Sequence, residues 1–193
     1  MAFFGLKIKN EKMKKILCVL FIVGIVLAGC EKDDICDPST PTTPRLVIKF
    51  YDFNNPSVVK RMNNLKIVGE GMNYNNGVLN NNGSQFWNDT VAYIPLKINE
   101  DVSKFRFIRF AQDTLLANAT IDTLAFNYSR RDEYVSRACG FKTNFDLFGI
   151  PNASPFVLNN DDAATSGNWI ENIEVIEPNL DNENETHINI YFL

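Results

Sequence analysis

From Arg45 onward the apolar residues recur with a period close to two, and no window of eleven residues sustains a helical stripe. Leu46, Ile48 and Phe50 alternate with Val47, Lys49 and Tyr51, which sends them to opposite faces of an extended chain. The same pattern predicts strands over 65–69, 90–98, 104–110, 121–128, 141–147, 170–176 and 187–192. Ala92, Ile94, Leu96 and Ile98 share one face of the third, and Phe105 and Phe107 one face of the fourth. Leu124, Phe126 and Tyr128, and then Phe141, Thr143, Phe145 and Leu147, are the expected inward faces of the next two. Pro95 cannot donate to a ladder, so the strand that holds it belongs at an edge or is bulged there.

Eight strands joined by turn-rich segments imply an all-β fold, and the expected form is an immunoglobulin-like two-sheet antiparallel β-sandwich. The 15 Phe, 6 Tyr and 2 Trp supply enough large apolar surface for its core. Asn75-Asn76-Gly77 and Asn81-Asn82-Gly83 bracket a short apolar piece, Val78-Leu79, and read as tight turns. Between 31 and 44, Pro38, Pro41 and Pro44 make a polar tether that cannot enter a central strand. A second loop is expected over 151–168.

The N-terminal segment reads as an export signal. Lys12, Lys14 and Lys15 precede 13 uncharged residues, 16–28, too few for the roughly 20 apolar residues a membrane-spanning helix needs. Leu27-Ala28-Gly29-Cys30 resembles the lipobox of bacterial lipoproteins, in which the cysteine thiol is alkylated with diacylglycerol before cleavage. Cys30 is thus the expected lipidation site, and the organisation is a signal peptide over 1–29, a lipidated tether over 30–44 and a β-sandwich domain over 45–193. Lys32, Asp33 and Asp34 resemble the motif that follows the lipidated cysteine in surface-displayed lipoproteins of Bacteroidota. The 25 Asn fit the AT-rich genomes of that phylum.

Five of the 19 Lys and Arg and one of the 23 Asp and Glu lie in the signal, so the mature part carries a net charge of −8. That charge argues against a nucleic-acid partner held through phosphates. Besides Cys30 the mature chain keeps Cys36 and Cys139, and in an oxidising envelope a bridge between them is favoured over two buried thiols.

Chemistry-bearing motifs are sparse. His187 is the single histidine and has no acid or nucleophile beside it in sequence, so a surface or hydrogen-bonded strand position is expected. No Gly-x-Ser-x-Gly elbow or phosphate-binding glycine loop occurs. Asp161 and Asp162 offer oxygen ligands without EF-hand spacing, and Glu171, Glu174 and Glu177 read as solvent-facing, so no metal site and no cofactor is expected. Arg130, Arg131 and Arg137 fall in a charged connection between two strands. They could receive a carboxylate or phosphate, but pairing with Asp132 and Glu133 is the favoured reading. Trp87 and Trp169, at loop-to-strand joins, are the candidate stacking surfaces for a glycan, with core packing an equal alternative. Thr90, Thr114 and Thr123 stand in Asp-Thr-aliphatic triplets that resemble the O-glycosylation acceptor of exported Bacteroidota proteins, and turn-to-strand entry accounts for the same triplets.

Cys-Glu-Lys-Asp-Asp-Ile-Cys, Thr-Pro-Arg-Leu-Val-Ile-Lys-Phe-Tyr-Asp, Tyr-Val-Ser-Arg-Ala-Cys-Gly-Phe and Asn-Glu-Thr-His-Ile-Asn-Ile-Tyr-Phe together resemble a family of uncharacterised Bacteroidota lipoproteins. The resemblance spans almost the whole mature chain. It implies location and a compact β domain, and brings no activity and no functional residue beyond Cys30. The expected role is that of a non-enzymatic, surface-exposed outer-membrane lipoprotein. Its lipid holds it at the membrane, and its domain binds or scaffolds an envelope partner such as a β-barrel membrane protein. The alternatives are a glycan or small-ligand binder and, with less support, an envelope enzyme.

Overall fold

The computed structural model describes residues 13–22, 35–112, 119–159 and 168–193. The chain divides into two compact units, Met1–Thr40 with Val135–Gly140, and Pro41–Tyr134 with Phe141–Leu193.

In the small unit, residues 13–22 form a helix exposed all round, and among the described residues no helix is long and apolar enough to cross a membrane. Asp37 organises a turn over 37–40. Its Oδ1 accepts the Ser39 N–H (2.8 Å) and hydroxyl (2.7 Å), and its carbonyl accepts the Thr40 N–H at 2.9 Å. Cys36 and Cys139 are joined by a disulfide with Cα atoms 4.9 Å apart, inside the span a disulfide allows.

Eleven strands occur among the described residues: β1 (Leu46–Asp52), β2 (Lys66–Gly69), β3 (Val91–Ile94), β4 (Val102–Arg109), β5 (Thr120–Asn127), β6 (Ser129–Ser136), β7 (Gly140–Asp146), β8 (Phe156–Leu158), β9 (Ile170–Val175), β10 (Asn179–Leu180) and β11 (Ile188–Phe192). They form three open sheets, ordered β3-β1-β11-β9, β2-β4-β5-β8 and β10-β7-β6. The protein is therefore mostly β, but the expectation of two antiparallel sheets meets three, one of them mixed. β1 and β11 pair in parallel, Ile48 opposite Ile188 and Phe50 opposite Ile190.

The third sheet arises where a connection is expected. β6 is the charged run Ser-Arg-Arg-Asp-Glu-Tyr-Val-Ser, and both its faces are largely exposed, so its sequence carries no apolar alternation. One residue, Tyr128, separates β5 from β6 and so carries the chain from one sheet to another. Its ring is fully buried, edge-on to Phe145 at 5.1 Å. β3 stops at Ile94, just before Pro95, and lies at a sheet edge, while Ile98 beyond it is exposed. On β7, Thr143 and Phe145 face inward and Leu147 follows them into the core, but Phe141 is exposed, against the expectation.

All three sheets contribute to one hydrophobic cluster. It contains Ile48, Phe50, Ile190 and Phe192 from the first sheet, Ile67, Phe107 and Phe126 from the second, and Phe145 and Leu180 from the third. Phe192 meets Phe50 at 6.4 Å and Trp169 at 5.7 Å, both in near-perpendicular pairs. Each ring of this size hides on the order of 150–250 Å², and their convergence explains how the domain closes its core with so little helix.

Candidate functional site

A cleft of about 430 Å³ lies between the end of β3 and the β2–β4 pair. Its walls are built locally. Val78 lies in the Asn-rich segment after β2, and its N–H donates to the Ile67 carbonyl at 2.7 Å, docking that segment along β2. The Trp87 indole N–H then donates to the Val78 carbonyl at 3.1 Å. Gly77 admits this close approach: a Cβ there would stand 3.1 Å from the Lys66 side chain and 3.3 Å from the Ile67 carbonyl oxygen. Gly83, with φ of +75°, closes the neighbouring turn in a conformation that side chains disfavour.

Opposite stand Tyr93, Pro95 and Leu96, with Met72, Leu79 and Phe105 completing an apolar lining. A buried hydroxyl network sets the position of the β3–β4 loop. Ser103 Oγ accepts the Lys97 N–H at 2.8 Å and lies 2.6 Å from the Tyr128 hydroxyl, which donates to the Lys97 carbonyl at 2.9 Å. A phenol O–H has one proton, so Ser103 is the donor to Tyr128. Burial pushes the Tyr128 phenol above its ordinary pKa.

The polar groups at this cleft are paired. Arg45 grips Glu183 in a fork, Nε to Oε1 at 2.8 Å and Nη2 to Oε2 at 2.6 Å, and lies over the Tyr93 ring at 4.8 Å. Hydrogen bonding to Glu183 raises the Arg45 pKa, and the same contact lowers that of Glu183. Lys97 pairs with Glu100 at 2.8 Å and Lys104 with Glu70 at 3.4 Å. Behind the wall, Lys66 is buried with its ammonium 4.0 Å from the Tyr74 ring centre and 5.3 Å from that of Phe86, and desolvation lowers its pKa. Such a cleft can hold an apolar or amphiphilic group, with hydrogen bonds offered at its rim.

The chemistry-bearing residues lie elsewhere. His187 is buried, its ring Nδ1 accepts the Val47 N–H at 2.9 Å, and its backbone N–H donates to the Val47 carbonyl at 3.0 Å. Burial lowers its pKa, opposed by the charges of Glu177 and Glu183 and by a backbone hydrogen bond at Asn182. The imidazole is thus held neutral as part of the frame. Among the described residues no group of three His, Cys, Asp or Glu is arranged to hold a metal ion.

The structure decides between the two readings of the tryptophans and corrects the arginine expectation. Trp87 and Trp169 are buried, Trp169 donating its indole N–H to the Phe107 carbonyl at 3.2 Å, so neither offers a stacking face. Arg130 does not pair with its sequence neighbours. It binds Asp101 (2.7 Å) and the Ile98 carbonyl (2.7 Å), and Arg131 reaches Asp181 at 3.2 Å. Asp132 and Glu133 turn instead to β7, accepting from Thr143 at 2.8 Å and Asn144 at 2.7 Å. Residues two apart on a strand share a face but stand about 7 Å apart, farther than cross-strand neighbours, so Asp132 and Glu133 pair with β7.

Thr90 is half-buried just before β3, and Thr123 is half-buried within β5. The Thr90 N–H donates to Asp89 at 2.7 Å and the Thr123 N–H to Asn159 at 2.8 Å. Glu174 accepts from the Tyr191 hydroxyl at 2.9 Å and Glu177 from the Asn179 N–H at 2.9 Å. Cys30, Lys32, Asp33, Asp34, Thr114, Asp161 and Asp162 lie outside the described residues. Of the cleft residues, only the apolar island Val78-Leu79 stands out in sequence, because the cleft is assembled from segments distant along the chain.

No curated protein and no solved structure matches the chain. A family model matches residues 64–192, from just before β2 to the end of β11, and the chain accordingly belongs to the family of unknown function DUF6452.

Proposed function

We propose that this protein is a lipid-anchored component of the outer membrane, displayed at the cell surface through Cys30 and the Lys32-Asp33-Asp34 signal. Its domain binds an envelope partner, a β-barrel membrane protein, and does not catalyse a reaction. The observation that carries the reading is the Cys36–Cys139 disulfide. Such a bond persists in an oxidising envelope, and it begins six positions after the cysteine of a lipobox-like sequence. Anchoring in the same bilayer raises the effective concentration of a membrane partner, so a small interface is enough for occupancy. The non-catalytic part rests on the commitment of the His187 imidazole to Val47 and of the Ser103 hydroxyl to Tyr128 and Lys97.

Purification of a tagged full-length protein from mildly solubilised envelope should recover one stoichiometric β-barrel protein. Recovery of the protein alone, with turnover of an envelope substrate by the purified chain, overturns the proposal. Incorporation of a fatty-acid probe, lost in Cys30→Ala, tests the anchor separately, and external protease on intact cells tests surface display.

The 430 Å³ apolar cleft favours a second reading, a lipoprotein that binds a small amphiphile. An apolar fluorophore should then bind the wild type with one-to-one stoichiometry, and Leu79→Trp, at an exposed position of the lining, should abolish that binding without changing the fold.

A further inference from the structure

We infer that Tyr134 and Phe141 form an aromatic foot that rests in the headgroup region of the bilayer holding the Cys30 lipid. The inference deepens the lipid-anchor reading and rests on it. Within 45–193, these are the two most exposed large apolar side chains among the described residues, Phe141 at 69% and Tyr134 at 60%. They are also neighbours, ring centres 5.4 Å apart and planes inclined at 68°. Contact between the rings contributes only about 0.5–1.5 kcal/mol and leaves most of both exposed, whereas Tyr and Phe side by side suit the boundary between lipid tails and water.

The covalent chain supplies the occupant. Phe141 is two residues from Cys139, which is bonded to Cys36, itself six residues from Cys30. At about 3.5 Å per extended residue, the chain path from the lipidated cysteine to Cys36 is on the order of 20 Å. Through the disulfide, the aromatic pair is therefore only a few residues from the membrane. Without the bond, the shortest chain path from Cys30 to Phe141 runs through more than a hundred residues.

Surrounding groups fit the assignment. The Tyr134 hydroxyl gives one end of the pair a hydrogen-bonding group for water or headgroups, and Arg137 in the turn is exposed. Away from this strand pair, Val58 marks the far end of β1: its carbonyl accepts the Asp52 N–H at 3.0 Å, whereas Thr43, just before β1, accepts the Thr143 N–H at 3.0 Å.

The test places a reporter at each location in the mature, acylated, full chain. Phe141→Trp and Val58→Trp variants are reconstituted into vesicles of phosphatidylethanolamine and phosphatidylglycerol, with and without brominated acyl chains. Intact mass establishes acylation of the same samples. The added Phe141→Trp emission should shift to the blue and be quenched by bromine, while Val58→Trp emission and that of the wild type, with Trp87 and Trp169 buried, should be unchanged. An acylated Phe141→Trp protein with unquenched emission, or equal quenching at both reporters, overturns the foot and leaves the anchor standing. A chain that carries no acyl group withdraws both.

Discussion

Asp122 and Trp169 are 47 residues apart in sequence, and the Trp169 N–H donates to Asp122 Oδ2 at 2.9 Å inside the core. The same oxygen accepts the Ile170 N–H at 2.8 Å, and Oδ1 accepts from the Asn159 amide at 2.7 Å. One carboxylate thereby fixes both flanks of the segment between β8 and β9. Asp122→Ala should leave two buried N–H groups without partners and cost about 3 kcal/mol or more. Urea unfolding checks this, and a loss under about 1 kcal/mol would contradict the bonding described.

His187 should make stability depend on pH near neutrality. Burial depresses its pKa in the folded state, whereas the unfolded chain takes up a proton near the ordinary value of about 6.5. The unfolded state therefore binds more protons as pH falls below that value. The contribution of His187 is complete above about 6.5 and is lost as pH drops through the depressed folded value. Urea midpoints at pH 8 and pH 5 should differ in the wild type, with the lower midpoint at pH 5. In His187→Gln, which keeps a polar side chain and cannot titrate, that part of the difference should vanish. The carboxylates whose pKa is lowered, such as Glu183 and Glu133, act at more acidic pH and do not mimic this response.

The Cys36–Cys139 bond spans a sequence separation of 103. A closed loop near that length restricts the unfolded chain by up to about 4.7 kcal/mol in the chain-entropy model. Reduction should therefore lower the unfolding midpoint markedly, and Cys36→Ser with Cys139→Ser should show the same loss without reductant. Identical midpoints for oxidised and reduced protein would refute it.

Gly149 should not tolerate a methyl group. A Cβ there would meet the Ser129 side chain, 2.6 Å from its Cβ, and the Asp146 carbonyl oxygen at 3.2 Å. Gly149→Ala should cost about 1–3 kcal/mol through overpacking. Ser129→Gly in the same molecule should restore most of it, because the Ser129 side chain is the nearest obstacle. A single variant as stable as the wild type would contradict this packing.

How far the sequence reveals the fold depends on whether an element has an inside. β5 buries one set of alternate residues, and β1 and β4 do so apart from Val47 and Ile108, so their periodicity is sufficient to place them. β6 buries neither face, β8 is three residues long and β10 two, so no pattern marks them, and the third sheet is invisible for that reason. Phe141 misleads in the opposite sense: its alternation with Thr143 and Phe145 is sound, but the inward face runs out one step before it. Trp87 and Trp169 are ambiguous in sequence because an indole at a loop end suits either a core or a surface. Only their hydrogen bonds to the Val78 and Phe107 carbonyls decide it.

The parallel pairing of β1 with β11 has a consequence for the order in which the domain can form. Two central neighbours in one sheet are drawn from opposite ends of the folded sequence, so their contact closes a loop that contains every other strand. Loop-closure entropy must be met before that pairing is rewarded. Any process that delivers the chain N-terminus first, whether a ribosome or a membrane pore, releases β1 long before its partner. Until Ile188 and Ile190 emerge, Ile48 and Phe50 have an unfilled edge beside them. The domain is thus kept from completing its core until delivery has reached β11, which makes its last strand the step that commits it to the native state.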